Sequence, residues 1–361
     1  MTAALRAQLI TQGPGVEQFE EAMADYVGAR HMVAFANGTA ALHGAAFAAG
    51  LGPGDEAITT PLSFAASSNC VLYQGARPRF VDISPATWNL DTAATAAQVG
   101  ERTKAVIAVS FAGLPVDLAP LDAVRDRIIV IEDAAHALGA RRNGVPVGAA
   151  GGADMTTFSL HPVKAMTTGE GGLVATDNDE FARRLRLFRS HGITKDGTSP
   201  TATDGAWYYE MQALGFNYRI TDFQCALGLS QLQQLDERIA RRNELAEYYR
   251  ELLAGERRLA LPPAAPAGSL HAYHLFAVRV LAGPEARLAV FETLRGAGIG
   301  AQVHYIPIYR QPYYRDVLGY PQDTCPVAEE YYAGAISLPV FPSMTGTDVE
   351  RVVDCLRRAL P

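Results

Sequence analysis

The chain has 361 residues, of which 48% are hydrophobic and 19% charged, and its net charge of −7 comes without a block of like charges. This length and composition indicate a globular protein of about two domains. The acidic balance makes nucleic acid and anionic membrane surfaces poor partner candidates.

Targeting and redox signals are weak in this sequence. No stretch is apolar over the roughly 18 residues of a membrane span, and no hydrophobic signal core precedes Gly13-Pro14. We therefore expect a cytoplasmic protein that does not contact a membrane. The cysteines lie far apart and form no Cys-x-x-Cys pair, which predicts neither a metal site nor a disulfide framework: they are Cys70, Cys225, Cys325 and Cys355.

Short apolar runs alternate with helical patterns along the first half of the chain. Length and β-branched content predict buried strands at 31–36, 56–60, 78–83, 104–111, 127–133 and 171–177. Composition and spacing predict helices between them, at 39–51, 64–75 and 118–126. This alternation predicts an α/β fold with a mostly parallel central sheet and helices on both faces.

The second half departs from this alternation. A longer helical pattern covers residues 220–255, and the Pro/Ala/Gly-rich segment 261–269 is typical of a connector. Four shorter patterned segments follow, at 273–281, 290–299, 301–305 and 348–360. We therefore predict a large α/β domain over residues 1–245 and a smaller C-terminal α+β domain over residues 246–361.

Polar residues follow two of the predicted strands, where an open α/β sheet binds its ligand. Asn37-Gly38-Thr39 opens a helix after the first strand, and such a turn brings backbone N–H groups to an anion such as phosphate. The same residues are also typical of an ordinary helix cap. Asp133 ends the fifth strand, shortly before His136. A buried carboxylate there needs a cation or strong donors, unless it only caps the next turn.

Lys164 stands alone among small, apolar and hydroxyl residues in FSLHPVKAMTTGEGG, residues 158–172. In a poorly solvated pocket, a lysine amine has a depressed pKa and can form a Schiff base with a carbonyl. Ser159 could offer a hydroxyl to the same anion, and Phe64 an aromatic face to a ring. The alternatives are a partly solvated loop lysine and an aromatic residue that packs at the start of a helix.

The phosphate cradle, the acidic strand end and the isolated lysine together predict one cofactor. Pyridoxal phosphate needs an anchor for its phosphate, a carboxylate for its pyridinium nitrogen and a lysine for its aldehyde. The combination is far more specific than any one of its parts.

Segments spread over nearly the whole chain resemble the DegT-type nucleotide-sugar aminotransferases. They are LITQGPG, FANGTAALHGA, ITTPLSFAASSN, EDAAHALGA, FSLHPVKAMTTGEGG, RSHGI, NYRITDFQCALGLSQL and AQVHYIPIYRQPYY. Within that family, SFAASSN, DAAHALG, RSHGI and QVHYIPIY are most similar to the enzyme that aminates the 4-keto sugar on the route to pseudaminic acid. The resemblance implies a fold-type-I pyridoxal phosphate-dependent transferase that works as a homodimer with shared active sites.

The resemblance also implies roles for individual residues. Lys164 falls on the Schiff-base lysine, Asp133 on the partner of the pyridine nitrogen, and His136 on the position beside the cofactor's 3-hydroxyl. The other implied cofactor contacts are Gly38, Thr39 and Ser159 with the phosphate, Phe64 with the ring face, and Asn217 with the phosphate of the other subunit. The residues in regions that contact the nucleotide sugar are Thr11, Gln302, His304, Tyr305 and Tyr309.

The implied reaction moves an amino group from L-glutamate to UDP-2-acetamido-2,6-dideoxy-hexos-4-ulose in pseudaminic acid or related surface-glycan biosynthesis. A 3-keto sugar, or one linked to GDP or dTDP, stays open. A cysteine desulfurase would need a mobile loop cysteine, for which Cys325 is the candidate. A silent regulatory relative would have lost Lys164, Asp133 or the phosphate cradle, and all are present. Relatives carry a Pro/Tyr-rich opening before LITQG, so either the chain starts further upstream or one substrate contact is absent.

Overall fold

The structure of the protein, a computed structural model, describes residues 2–194 and 207–361. Its helices are α1 Thr2–Leu5, α2 Pro14–Val27, α3 Gly38–Ala48, α4 Ala66–Tyr73, α5 Thr92–Gln98, α6 Asp179–Arg189, α7 Asp222–Leu232, α8 Leu235–Leu252, α9 Pro284–Gly296, α10 Pro326–Gly334 and α11 Gly346–Ala359. Its strands are β1 His31–Phe35, β2 Glu56–Thr59, β3 Arg77–Phe80, β4 Thr103–Val109, β5 Ile129–Asp133, β6 Arg141–Arg142, β7 Val145–Pro146, β8 Met155–Ser159, β9 Gly172–Thr176, β10 Ile193–Thr194, β11 Glu210–Met211, β12 Leu259–Ala260, β13 Phe276–Val280 and β14 Ala335–Leu338.

The large sheet has seven strands in the order β1-β9-β8-β5-β4-β2-β3. All neighbours from β8 to β3 are parallel, whereas β9 runs antiparallel to both β1 and β8. Successive residues of β1 enter hydrophobic clusters on opposite faces, with Val33 packed under α3 and Met32 under α2. The predicted α/β fold, with a mostly parallel sheet covered on both faces, is confirmed.

One strand of the large sheet is missing from the sequence prediction. β8 lies next to β5 and contains Thr156 and Thr157, which interrupt its apolar pattern although both are buried. Thr157 donates its hydroxyl to the Glu132 carbonyl, 3.4 Å away. A buried threonine with a backbone acceptor packs as an apolar residue would, but the pattern alone does not reveal that acceptor.

The long helical pattern over residues 220–255 forms two helices, so the prediction of one continuous stretch is wrong. α7 ends at Leu232 and α8 begins at Leu235. α7 packs against α2 of the large domain, whereas α8 contributes Leu245 and Tyr249 to a separate core. α8 begins in the same cluster as α7, through Leu235 and Ile239, and its later turns reach the separate core.

That separate core belongs to a smaller α+β unit. β12, β13 and β14 form an antiparallel sheet, and residues of α8, α9 and α11 pack on it. The predicted boundary after residue 245 falls inside α8 and stays a prediction. None of the described helices is long and apolar enough to cross a membrane.

Candidate active site

Lys164 lies in the loop between β8 and β9, at the carboxyl end of β8. Because β9 pairs antiparallel with β8, the loop must return on itself. The Leu160 N–H donates to the Gly171 carbonyl at 2.8 Å, and the Thr168 N–H donates to the Leu160 carbonyl at 3.1 Å. At Gly172, any Cβ would collide with the carbonyl oxygen of Asn37. The glycine that closes the loop therefore lets the end of β1 approach the lysine loop.

The residues predicted to hold a phosphate lie at that approach. Gly38 is the first residue of α3, and the Asn37 side chain caps the helix by accepting the Ala40 N–H at 2.9 Å. A Cβ added to Gly38 would lie 2.9 Å from the Cβ of Ser159. Gly38, Thr39 and Ser159 are thus brought together at a helix N-terminus, where free N–H groups favour an anion.

Asp133 is buried at the end of β5 and accepts two hydrogen bonds. The Ser67 hydroxyl donates to Oδ2 at 2.6 Å and the Ala135 N–H donates to Oδ1 at 3.1 Å. Burial raises the pKa of Asp133, while the bonds from Ser67 and Ala135 and the charge of Lys164 oppose that rise. The carboxylate is therefore oriented, and among the described residues no arginine forms an ion pair with it.

Ser67 is a site residue that the sequence analysis missed. It lies in α4, and its Oγ is 2.7 Å from the Oγ of Ser63, which lies four residues earlier, before the helix begins. Since Ser67 donates its hydrogen to Asp133, Ser63 donates to Ser67. The sequence carries no local signal for this contact, because nothing near Ser67 indicates that α4 lies beside β5.

The Lys164 side chain is half-buried in its loop. Burial lowers its pKa from 10.5 to about 8, although the charge of Asp133 partly opposes the shift. Lowering the pKa of a lysine this far makes a substantial fraction of neutral amine available near physiological pH, which suits it as a nucleophile and a base.

His136 is buried in the turn after β5. Its Nε2 lies 3.2 Å from the hydroxyl of Tyr305, and its Nδ1 is buried with no hydrogen-bond partner among the described residues. Burial, with the neighbouring charge of Lys164, lowers the pKa of His136 well below its usual value and that of His304 to about 4. His304 Nδ1 contacts the Ser337 hydroxyl at 2.9 Å. The imidazoles of His136 and His304, which lie near Lys164, are therefore uncharged.

Phe64 and Asn217 lie at the rim of this site. The Phe64 ring is 64% exposed, and its carbonyl accepts the Ser67 N–H, which places Phe64 one turn from the Asp133 contact. Asn217 is exposed and precedes Tyr218, whose carbonyl accepts the Ala36 N–H at the end of β1. The roles predicted for Phe64 and Asn217 toward the cofactor stay predictions.

Two of the predicted substrate contacts, Thr11 and Gln302, are exposed. Thr11 bridges to Thr221, the cap of α7, and Gln224 of that helix donates to the Glu170 carbonyl at the end of the lysine loop. The Gln302 backbone pairs with Ser337. Both residues have side chains free to meet a substrate.

Tyr309 is different, because its side chain has no exposed surface. Its hydroxyl donates to Glu329 Oε1 at 2.7 Å. We therefore correct the expectation for Tyr309 from substrate contact to core residue. Cys325 is also buried, and burial raises the pKa of its thiol. A buried thiol at the start of α10 is not the mobile nucleophile that a desulfurase needs.

The site fits pyridoxal phosphate on structural grounds. The turn at the start of α3 has room for a phosphate only because Gly38 lacks a Cβ. The end of β5 presents the Asp133 carboxylate. The pKa of the Lys164 amine is low enough for attack on an aldehyde. In the described part of the chain, no cluster of His, Cys, Asp or Glu is arranged to hold a metal ion.

Comparisons with known proteins agree with this fit. The model of the DegT/DnrJ/EryC1/StrS aminotransferase family matches residues 1–357. The spore coat polysaccharide biosynthesis protein SpsC of Bacillus subtilis is 38% identical over 362 aligned positions, covering 99% of this chain and 92% of that protein.

Solved structures give the same result. The PMP form of Spr1654, a putative sugar aminotransferase from Streptococcus pneumoniae, matches with a TM-score of 0.92 at 28% identity, covering 99% of this chain and 94% of that one. Helicobacter pylori PseC, an aminotransferase involved in the biosynthesis of pseudoaminic acid, matches with a TM-score of 0.89 at 29% identity and the same coverage. With the lysine, carboxylate and cradle in place, the chain belongs to the DegT/DnrJ/EryC1/StrS aminotransferase family and is a fold-type-I, pyridoxal phosphate-dependent aminotransferase.

Proposed function

We propose that this enzyme transfers the amino group of L-glutamate to a nucleotide-linked keto sugar. The proposed acceptor is UDP-2-acetamido-2,6-dideoxy-hexos-4-ulose, and the product is the corresponding UDP-4-amino sugar for pseudaminic acid or a related surface glycan. The observation that carries the proposal is geometric: Lys164 lies half-buried in the loop between β8 and β9, close enough to the Asp133 carboxylate at the end of β5 for the two charges to interact. Support for a sugar acceptor comes from the similarity to Spr1654 and PseC.

Lys164, Asp133 and Ser67 have separate roles in the proposed reaction. Bound pyridoxal phosphate supplies an electron sink and carries the amino group between donor and acceptor. Lys164, when neutral, accepts the proton from the α-carbon of the donor, and it returns a proton when the acceptor sugar receives the nitrogen. Asp133 holds a proton on the pyridine nitrogen, and Ser67 keeps that carboxylate oriented by donating to Oδ2.

The uncharged side chains near Lys164 also favour proton transfer by the lysine. Because burial and Lys164 disfavour protonation of His136 and His304, neither imidazole competes with the lysine for the proton that is transferred. Tyr305 also stays protonated, since burial and the charge of Asp133 raise its pKa. The hydroxyl oxygen of Tyr305 can accept a hydrogen bond from a sugar hydroxyl group, and the His304 imidazole can form another, without introducing a second base.

The enzyme works as a homodimer in this proposal, with Asn217 completing the phosphate site of the partner. In the described chain, the segment before Asn217 exposes several large apolar side chains. A cluster of exposed apolar residues is typical of a surface that another protein covers. These residues are Trp207, Tyr209, Met211 and Leu214. The mass of the protein in solution tests this part, and a monomer that retains full activity would contradict it.

The test of function has two stages. Purified enzyme loaded with pyridoxal phosphate is first mixed with L-glutamate alone, and the visible band of the cofactor is expected to give way to the near-ultraviolet band of pyridoxamine phosphate. The aminated enzyme is then offered UDP-4-keto, dTDP-4-keto, dTDP-3-keto and GDP-4-keto sugars. The UDP-4-keto sugar should restore the visible band with the highest kcat/KM.

The two stages fail in different ways. A protein that stays colourless with added pyridoxal phosphate contradicts the cofactor site itself. A normal first stage followed by faster turnover of a dTDP- or GDP-linked sugar contradicts only the proposed acceptor. The panel therefore separates the reaction type from the choice of sugar.

A further inference from the structure

His274 lies against the active site although its apolar neighbours in sequence predict an ordinary packing residue. It precedes β13 of the small unit. The centroid of its ring lies 4.2 Å from that of His136, with 36° between the ring planes. The charge of Lys164 contributes to the lowered pKa of both rings, so the lysine lies within electrostatic range of the pair.

The hydrogen bonds of His136 indicate which nitrogen of its ring carries the hydrogen. Tyr305 keeps its proton because burial and Asp133 raise its pKa, and the acceptor described for its hydroxyl is His136 Nε2. Nε2 therefore accepts, and the hydrogen of the neutral ring lies on Nδ1. That Nδ1 is buried and has no partner in the described part of the chain. A buried donor without a partner requires an explanation, and an acceptor atom of a bound molecule would satisfy it.

The backbone that carries His274 is held in an unfavourable conformation. Tyr273, directly before it, has φ 42°, and Ala112, in the loop after β4, has φ 57°. Residues with a Cβ rarely adopt this left-handed region, and they remain there only when the surroundings impose it. Backbone strain that the rest of the fold must maintain is concentrated at functional positions.

Direct contacts impose that conformation. The Ala272 N–H donates to the Gly113 carbonyl at 2.9 Å, and the Leu275 N–H donates to the Ala112 carbonyl at 3.2 Å. The buried guanidinium of Arg242 donates to the Tyr273 carbonyl at 3.0 Å. Three hydrogen bonds on four consecutive residues thus lock the segment that presents the His274 ring.

We propose that His274 is a positioning residue: the face of its ring holds the imidazole of His136 in the orientation that presents the Nδ1 hydrogen to the bound cofactor. The inference rests on the pyridoxal phosphate site and is independent of the sugar. The ionisable groups that face the two rings are Lys164, His304, Tyr305 and Arg242.

Three substitutions separate the ring face from the ring nitrogens. His274→Phe keeps an aromatic face, His274→Asn keeps a polar group without a ring, and His274→Ala removes both. Two readouts do not depend on turnover: the affinity of the apoprotein for pyridoxal phosphate, and the pH midpoint of the visible absorbance of the bound cofactor. The melting temperature of each apoprotein monitors the fold.

We expect the Ala and Asn variants to bind pyridoxal phosphate about five- to tenfold more weakly, the range expected for one lost aromatic pair, and to shift the pH midpoint. The Phe variant should stay within about twofold of wild type. His31→Asn is the matched control, because His31 is a surface residue paired with Asp179. It should change neither readout.

Two results would overturn the inference. If the Ala variant binds the cofactor like wild type with an unchanged pH midpoint, His274 does not position His136. If the Phe variant is as defective as the Ala variant while its apoprotein melts normally, the ring face is not what acts. Should the Ala variant fail to fold, the Phe and Asn variants still decide between these outcomes. Failure of wild type to bind pyridoxal phosphate would instead contradict the cofactor site.

Discussion

Two buried carboxylates lie side by side on β5, on opposite faces of the same strand. Glu132 forms an ion pair with Arg142 at 2.8 Å and accepts a bond from Ser110 at 2.5 Å. Asp133 accepts bonds from Ser67 and a backbone N–H, and the charge that helps to keep it ionised belongs to a lysine. The two residues share a strand and nearly the same burial, but their partners differ in kind.

This difference separates a structural pair from a reactive one. Arginine stays charged at every physiological pH, and the ion pair of Arg142 with Glu132 ties β6 to the sheet. Lys164 has a pKa of about 8, so the cation that faces Asp133 can lose its proton. On this strand, the carboxylate assigned to the chemistry is the one whose neighbouring cation can titrate.

The largest expected effect is at the lysine. Lys164→Ala removes the base and the covalent anchor of the cofactor together, so turnover with L-glutamate and keto sugar should fall by at least about 10³-fold, toward the upper end for general acid–base catalysis. Steady-state kinetics measure the change. Lys104→Ala, at an exposed lysine of β4, is the matched control and should keep full activity. Near-normal turnover of the Lys164 variant would refute the catalytic role.

The two carboxylates should respond oppositely to removal of their charge. Asp133→Asn leaves the pyridine nitrogen without its anionic partner, so kcat should fall by about 10²-fold, as for the loss of one preorganised electrostatic group. The free energy of unfolding of the apoprotein should change much less than kcat.

Glu132→Gln tests the other face of the strand. It leaves Arg142 without its counter-charge, which should cost about 1–3 kcal/mol of unfolding free energy, while kcat stays within about threefold of wild type. Urea unfolding of the apoprotein measures the first quantity. The comparison breaks down if Glu132→Gln is inactive but stable, or if Asp133→Asn is active but unstable.

A smaller effect is expected at Ser67, which acts through Asp133. Ser67→Ala removes a hydrogen bond that lowers the pKa of the carboxyl, so kcat should fall by about tenfold, the lower end for a bond to a charged group. Ser68→Ala is the control, since Ser68 is equally buried but its hydroxyl contacts Tyr314. Equal losses in the two variants would indicate general damage to α4.

The smallest change is a shift along the pH axis. Below about pH 8 the Lys164 amine of the apoprotein is protonated, so the rate of pyridoxal phosphate capture should rise about tenfold per pH unit and level off above that value. Asp133→Asn should move the plateau to lower pH, because the Asp133 charge raises the lysine pKa. Glu132→Gln should not move it. A wild-type rate that still rises toward pH 10.5, the ordinary lysine value, would show that the amine is solvated.

Sequence patterns predicted the large sheet and its central chemistry well, for a definable reason. Lys164, Asp133 and Gly38 each interrupt a local pattern: a charge among apolar residues, a carboxylate after a buried strand, a glycine before a helix. Such interruptions are visible one at a time because each conflicts with its own neighbours. β8 was missed because its threonines find acceptors only across the sheet, as Thr157 does at the Glu132 carbonyl.

Contacts between distant segments were beyond the sequence. Tyr309 lies in a segment that was predicted to contact the nucleotide sugar, but its side chain is buried against Glu329. Ser67 reaches Asp133 across 66 positions, and His274 reaches His136 from the other unit. No local signal marks either partnership, since serine and histidine in apolar surroundings are ordinary packing residues.

The sequence by itself determined which chemical groups the protein has and at which strand ends they lie, because strand period and helix start are local properties of the chain. Tertiary structure alone decided their state. The pKa of Lys164, the orientation of Asp133 and the neutrality of His136 all follow from burial and from partners far away in sequence. Desolvation and charge depend on what surrounds a group in space, and folding brings those surroundings together.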